Sequence, residues 1–319
     1  MLQAVSRKAT GTSAVMVGVL AMFALDNSLA QNPLRVNIDE NTVSIQSADR
    51  PILRYRYENV PYKPYLQQLF TPKAINILRD APHDHLHHHA LMFAVAVDGT
   101  NFWEEQNAPG RQGHIDFGRL RVDELNDVPR ASFCELLDWV DPRTKALLIK
   151  ERRTIATFLL GEESVSLLTW QSEFELPAGK SSAQVGGSHY FGLGMRFVQS
   201  MDSDGTFLNA DDKQGKIFRG SERLLRSTWC AYSAEADGKP VTVAMFDCPG
   251  NPRHPATWFT MTEPFAYLSA TLNLHEQPLE VTSDKPLKLR YGVALWDGVV
   301  SKNKIEELYR QWLTLQDTP

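Results

Sequence analysis

Three cysteines in 319 residues are too few for a disulfide framework, and Cys134, Cys230 and Cys248 show none of the CxxC spacing of zinc or thioredoxin-like redox sites. At most one disulfide can form. The chain also lacks a basic surplus, since 33 Lys and Arg stand against 38 Asp and Glu for a net charge of -5. Nothing in that balance neutralises a phosphate backbone or an anionic bilayer, so small molecules or proteins are better partners than nucleic acid or a membrane surface. P-loop, GxGxxG, HExxH and GxSxG patterns are missing, which removes the common nucleotide, zinc-protease and serine-hydrolase signatures. There is no internal repeat and no Pro/Ser/Gly-rich linker. With 43% hydrophobic and 22% charged residues, what remains is an ordinary globular composition.

The first thirty residues differ from the rest. Arg7 and Lys8 precede a twelve-residue apolar run, Ala14 to Leu25, followed by small residues at Ser28 and Ala30. This is the pattern of a secretory signal peptide cleaved after Ala30. Twelve residues fall short of the roughly 20 that span a bilayer. The expected product is a periplasmic or secreted chain of residues 31–319 with no integral membrane segment, folded as a single domain.

Its periodicity is that of strands. Leu34–Ile38, Ile52–Tyr57, Ala131–Leu137, Ser164–Trp170 and Val241–Phe246 are short runs of alternating, β-branched or aromatic residues. Asp98-Gly99, Asp204-Gly205, Asp237-Gly238 and Asp297-Gly298 are turn signals of the kind that reverse antiparallel strands. A single helical stripe, Ile305, Leu308, Tyr309 and Trp312, closes the pattern between Ser301, a plausible N-cap, and Leu315. The expected fold is all-β, a large antiparallel β-sandwich with a C-terminal helix on its outside or edge.

The chemistry concentrates in Pro82-His83-Asp84-His85-Leu86-His87-His88-His89-Ala90, where five of the nine histidines fall. Imidazoles serve in metal ligation, proton transfer and hydrogen bonding to hydroxyls. An extended segment would turn His83, His85, His87 and His89 to one face and His88 to the other. The apolar run Leu91 to Val97 reads as a buried strand that would hold this row at its rim. The bland alternative is a solvated, tag-like run. His85 and His88 are the candidate acid/base residues, with Glu151 as facing carboxylate; His85 and His87 are candidate ligands for a divalent metal. Asp84, His87, His189, Asn251 and Arg253 are candidate substrate contacts. His189 follows two glycines, and Asn251-Pro-Arg253-His254-Pro is a stiff loop presenting an amide, a guanidinium and an imidazole. That loop is expected to join the histidine cluster at the wall of the main pocket. Trp103, Trp139, Trp229 and Trp258 either stack on a ligand ring or fill the core.

Several stretches resemble the uncharacterised bacterial family labelled "methane oxygenase PmoA". They are Lys63-Pro-Tyr-Leu-Gln-Gln-Leu, Asp84-His-Leu-His-His-His-Ala-Leu-Met-Phe-Ala, Asn101-Phe-Trp, Glu151-Arg-Arg-Thr, Tyr190-Phe-Gly-Leu-Gly-Met-Arg-Phe, Trp229-Cys-Ala-Tyr and Asp247-Cys-Pro-Gly-Asn-Pro-Arg-His-Pro. The pattern departs at His89-Ala90, where the family has Arg-Gly, and at Cys248, where it has His. Methane oxidation itself is rejected, because membrane oxygenase subunits span the bilayer many times and residues 31–319 hold no apolar run of about 18. The resemblance implies a galactose mutarotase-like sandwich that binds sugars on a concave sheet. Two functions follow as expectations: an exported carbohydrate-active enzyme working through the histidines, or a non-catalytic carbohydrate-binding or structural protein.

Overall fold

A computed structural model describes residues 33–161 and 164–316. The leader expected at residues 1–30 lies outside the described residues. All strand pairs are antiparallel and fall into three sheets. A ten-stranded sheet runs in the order Leu34–Ile38, Thr42–Ser47, Arg50–Arg56, Tyr65–Leu69, Leu91–Ala94, Gly192–Arg196, Tyr267–Thr271, Thr257–Met261, Arg223–Arg226, Lys216–Ile217. An eight-stranded sheet runs Thr206–Asn209, Trp229–Ala236, Lys239–Asp247, Leu287–Asp297, Ser166–Glu175, Leu147–Phe158, Val128–Val140, Arg111–Leu125. A small sheet joins Leu279–Thr282, Ser182–Gly186, Ala96–Val97 and Thr100–Asn101.

The expected β-sandwich is therefore present, and its core follows from period-two alternation. Leu289, Tyr291, Val293 and Leu295 point into the large core between the sheets, while Ala294 and Trp296 of the same strand point outward to a second cluster. That second cluster is closed by the helix Lys302–Thr314, which buries Ile305, Leu308, Tyr309 and Trp312. Ser301 caps it, its side chain accepting from the Lys304 amide. Trp312 lies over Gly292, where an added Cβ would sit 2.8 Å from the indole, and donates to Thr169 Oγ1 at 2.8 Å. The eight-stranded sheet is thus covered on both faces along half its width, which accounts for strands that read as nearly continuous apolar runs.

Two of the four Asp-Gly pairs make two-residue hairpins, with positive φ at both Asp98 and Gly99 and at both Asp237 and Gly238, as a type I′ turn requires. Asp297-Gly298 instead ends the last strand before the helix. The three cysteines are all free. Cys230 is fully buried, and burial pushes its thiol far up, so it acts as a small apolar side chain.

Candidate functional site

The cross-strand register assembles one face of the ten-stranded sheet. Gly194 pairs with Ser269, which pairs with Phe259; one step away, Arg196 pairs with Tyr267, which pairs with Met261. Alternate residues of the same strands, Phe93, Leu193, Ala270 and Trp258, belong to the core, where Phe93 meets Trp139 and Phe174 of the opposite sheet. The first set therefore lies on the other face of the sheet from these residues. Gly194 makes room for what lies over it, since a Cβ there would sit 2.1 Å from Tyr267 Oη and 2.7 Å from the Trp103 ring.

Loops wall this face into a pocket of about 540 Å³ lined by His85, His87, His88, Trp103, Glu104, Tyr190, Arg219, Glu222, Phe259, Met261, Glu263, Phe265 and Tyr267, among others. The histidine loop is not extended. His85 N donates to Pro82 O and His88 N to His85 O, both at 2.9 Å, so two consecutive turns replace the strand geometry. The alternation expected for a strand is lost, and three imidazoles meet instead: His85 stacks on His88 at 4.7 Å between centroids, and His87 meets His88 edge-on at 4.5 Å. Burial holds His87 down to about 4 and His88 lower still, so both rings are neutral bases at ordinary pH. His89 departs from the group. It is clamped between Asp80 and Glu105, 2.9 Å from each, beside the buried Lys63, and these carboxylates overcome the cost of burial to raise its pKa.

Asp84 stands behind the cluster, 3.2 Å from His85 Nδ1 without hydrogen-bond alignment and 3.3 Å from Arg196 Nη2. Arg196 is 1% exposed and lies 3.5 Å from the centre of the Phe265 ring. His189 backs the opposite wall, stacked on Phe218 at 4.1 Å, with Nε2 3.7 Å from Glu222 Oε2. A tight turn fixes Glu222, where Phe218 N donates to Glu222 O and Arg219 Nε to Glu222 Oε1 at 2.7 Å. Ser221 ties this turn to the Glu263 backbone, joining two walls. Tyr190 donates to Glu104 Oε1 at 2.8 Å.

The polar groups here are short of partners. Among the described residues ten buried side-chain nitrogen or oxygen atoms lack a hydrogen bond, and all but Ser166 Oγ and Tyr291 Oη belong to residues that line the pocket or touch one that does. The eight are His85 Nδ1, His88 Nδ1, Trp103 Nε1, His189 Nε2, Arg196 Nε and Nη1, Glu222 Oε2 and Tyr267 Oη. Buried polar groups are ordinarily satisfied, so a concentration of orphans in one pocket marks where a polar ligand or water is received.

Three expected residues are not brought there. Glu151 is 2% exposed inside the sandwich, its carboxylate taken by Arg153 Nε and Nη2, Trp139 Nε1 and Ser172 Oγ at 2.6 to 2.9 Å, so no lone pair is left for a substrate. The expectation that it faces the histidines is corrected: it is a structural ion pair. Asn251 is spent on Asp247 Oδ1, Arg290 O and Arg290 N. Arg253 donates to the carbonyls of Leu272, Asn273, Gln277 and Pro278, pinning one loop to another. Their loop lines other depressions and does not join the histidine cluster. Of the four tryptophans, only Trp103 lines the pocket, while Trp139, Trp229 and Trp258 fill cores. No group of three or more His, Cys, Asp or Glu among the described residues is arranged to hold a metal ion: His85, His87 and His88 meet ring face to face or edge to face and do not converge as ligands.

Sequence reasoning missed Glu104, Arg196, Glu222, Phe265 and Tyr267. The alternation Gly192-Leu-Gly194-Met-Arg196 carried a usable signal, because glycines on one face of a strand mark a close approach. For Glu222 there was none.

Fold and pocket together define a two-layered antiparallel β-sandwich with one half-enclosed, aromatic-walled site on an outer sheet face. The chain belongs to a family of unknown function (DUF6807), which matches residues 42–310, and nothing in that match carries the methane oxygenase label. No curated protein matches the chain in sequence. Among solved structures it is similar to an alpha-galactosidase from Lactobacillus brevis, at 5% identity and a TM-score of 0.46 over 87% of this chain and 42% of that one. It is also similar to a putative mutarotase from Salmonella typhimurium (11% identity, TM-score 0.38, 84% and 95% covered). A putative aldose 1-epimerase from Klebsiella pneumoniae shares 8% identity at a TM-score of 0.36, with 88% and 87% covered. The chain thus spans less than half the length of the galactosidase.

Proposed function

We propose that the protein is an exported carbohydrate-active enzyme whose substrate, a neutral sugar or sugar derivative, occupies the pocket beside His85, His87 and His88. The observation that carries this reading is the aromatic-walled pocket itself, around which eight buried polar atoms make no hydrogen bond and three of them have only ion-pair contacts at 3.2 to 3.7 Å. A sugar ring offers apolar C–H faces for Trp103, Phe259 and Tyr267 and hydroxyls for the imidazoles, the indole N–H and Glu222. Its neutrality follows from the lining, where Glu104, Glu222 and Glu263 outnumber Arg219 and two neutral imidazoles add no charge. Glu222, whose Oε2 accepts no hydrogen bond, then serves as the general base, and the neutral His88 ring accepts a hydrogen bond from a sugar hydroxyl. Export rests on the leader pattern of residues 1–30 and predicts a mature chain beginning at Gln31.

The test is titration of the full mature chain with neutral mono- and disaccharides, following the Trp103 indole proton by NMR and the sugar by its anomeric signals. Binding with chemical change that Glu222→Gln abolishes is the expected result. A Trp103 resonance that no saccharide moves overturns the reading. Non-catalytic binding is the second reading, favoured by the 3.7 Å gap between His189 and Glu222, which leaves no His–carboxylate hydrogen bond in the pocket. It gives binding without turnover.

A further inference from the structure

The outer face of the eight-stranded sheet is only partly covered by the helix. Beyond the end of that helix lies a second pocket, of about 480 Å³, whose lining includes Arg119, Arg121, Arg130, Arg152 and Arg290 and, among the described residues, no Asp or Glu. Five guanidinium groups in one concavity are unexpected in a chain of net charge -5. We propose that this pocket is a second binding site, for a monosaccharide-sized anion that carries a phosphate, sulfate or carboxylate beside hydroxyl groups.

The strand register builds its floor. Cys134 pairs with Thr154, Thr154 with Gln171 and Gln171 with Arg290; in the next row Ser132 pairs with Ala156 and Ala156 with Thr169. Short hydroxyl and amide side chains thus form a shallow bed, with arginines rising at both sides. Three of these arginines have other work: Arg130 is held by Asp123 through two bonds of 2.7 and 2.8 Å, Arg121 also acts on Asp123, and Arg290 Nη2 caps the helix by donating to Trp312 O and Leu315 O. The site therefore stands on Arg119 and Arg152, exposed side chains that make no hydrogen bond or ion pair with another described side chain. Glu173, the neighbour of Arg152 across the strands, is itself engaged by Gln171 at 3.0 Å and Lys288 at 3.7 Å. Planar guanidinium forks match oxyanions in two-point geometry, and a bed of Ser, Thr and Gln reads hydroxyls, so the combination selects a hydroxylated anion over a bare one.

The full chain is titrated calorimetrically with inorganic phosphate, inorganic sulfate, acetate, glucose 6-phosphate and glucuronate, each against sodium chloride at equal ionic strength. Glucose 6-phosphate is expected to bind at least tenfold more tightly than inorganic phosphate, and glucuronate at least tenfold more tightly than acetate. The double variant Arg119→Gln/Arg152→Gln, altered only at exposed positions, should lose tenfold or more for every anion that binds. Which anion wins separates phosphate from carboxylate as the natural head group. Cys134, half-exposed in the floor, gives a reading on the unmodified protein: the tightest anion should slow its alkylation, and chloride should not. Equal protection by chloride, or affinity in the double variant within twofold of the parent, overturns the site.

Discussion

Two groups of polar side chains are buried in this sandwich, and they differ in whether they are finished. Between the sheets, Glu151, Arg153, Tyr55, Glu135, His114 and Gln112 form a closed network. Arg153 serves Glu151, Tyr55 Oη, Gln112 Oε1 and Pro64 O; Tyr55 donates to Glu135, and His114 lies 2.9 Å from the same carboxylate. On the outer face, the orphaned atoms around Tyr267 and the histidines form an open set. Burial alone, or a titratable side chain within an apolar strand, does not separate a structural residue from a functional one. Unspent hydrogen-bonding capacity does, because a closed network has nothing left to give a ligand.

The sharpest way to break this comparison is to remove the hub of the closed network. Arg153→Met leaves Glu151 and Glu135 buried without their cation and should cost about 3–5 kcal/mol by urea denaturation. Saccharide affinity of the folded fraction should stay unchanged. If binding falls first, the two groups are one.

Tyr267→Phe asks the converse. Its hydroxyl has no partner to lose, and burial already keeps it protonated, so stability should stay level or rise by up to about 1 kcal/mol while saccharide affinity falls about tenfold. A loss of several kcal/mol would show that the hydroxyl is satisfied and that the open set is closed.

The last test is in pH. The folded pKa of His87 is lowered to about 4, below its ordinary value of 6.5, so as pH falls the unfolded chain takes up this proton first. Stability should decline from about pH 6.5 to about pH 4 and recover as pH rises. His88 acts in the same direction. His87→Gln should flatten that slope in denaturation curves collected between pH 7 and 4.5.

The fold was legible because its signals are local. Leu34–Ile38 was readable to the residue, and the helix stripe named the four side chains that the helix buries. The Asn126-Asp127 hairpin, both residues at positive φ, went unread because it lacks a glycine. The candidate site was half legible. His85, His87 and His88 stand out by composition, and His189 by its glycines. Glu151 misled, since a carboxylate in a strand looks the same whether its partner is a substrate or Arg153. Asn251 and Arg253 misled in the same way, because their donors are consumed by the Asp247 carboxylate and by backbone carbonyls that only the folded chain brings near. Tyr267 was invisible, being placed by register across strands far apart in sequence, and so was Glu222, placed by a turn that Ser221 ties to the distant Glu263 backbone.

That spacing governs how the protein comes into being. The sheet behind the pocket is drawn from residues 91–94, 192–196, 257–261 and 267–271, and the helix that seals the opposite sheet follows every strand among the described residues. Pairings so distant are slow to form, because each must first close a long loop. A growing chain therefore holds no finished sandwich until synthesis has passed residue 314. For the same reason no short excised fragment, the histidine run included, could carry the pocket elsewhere, because its walls are drawn from residues spread between His85 and Tyr267.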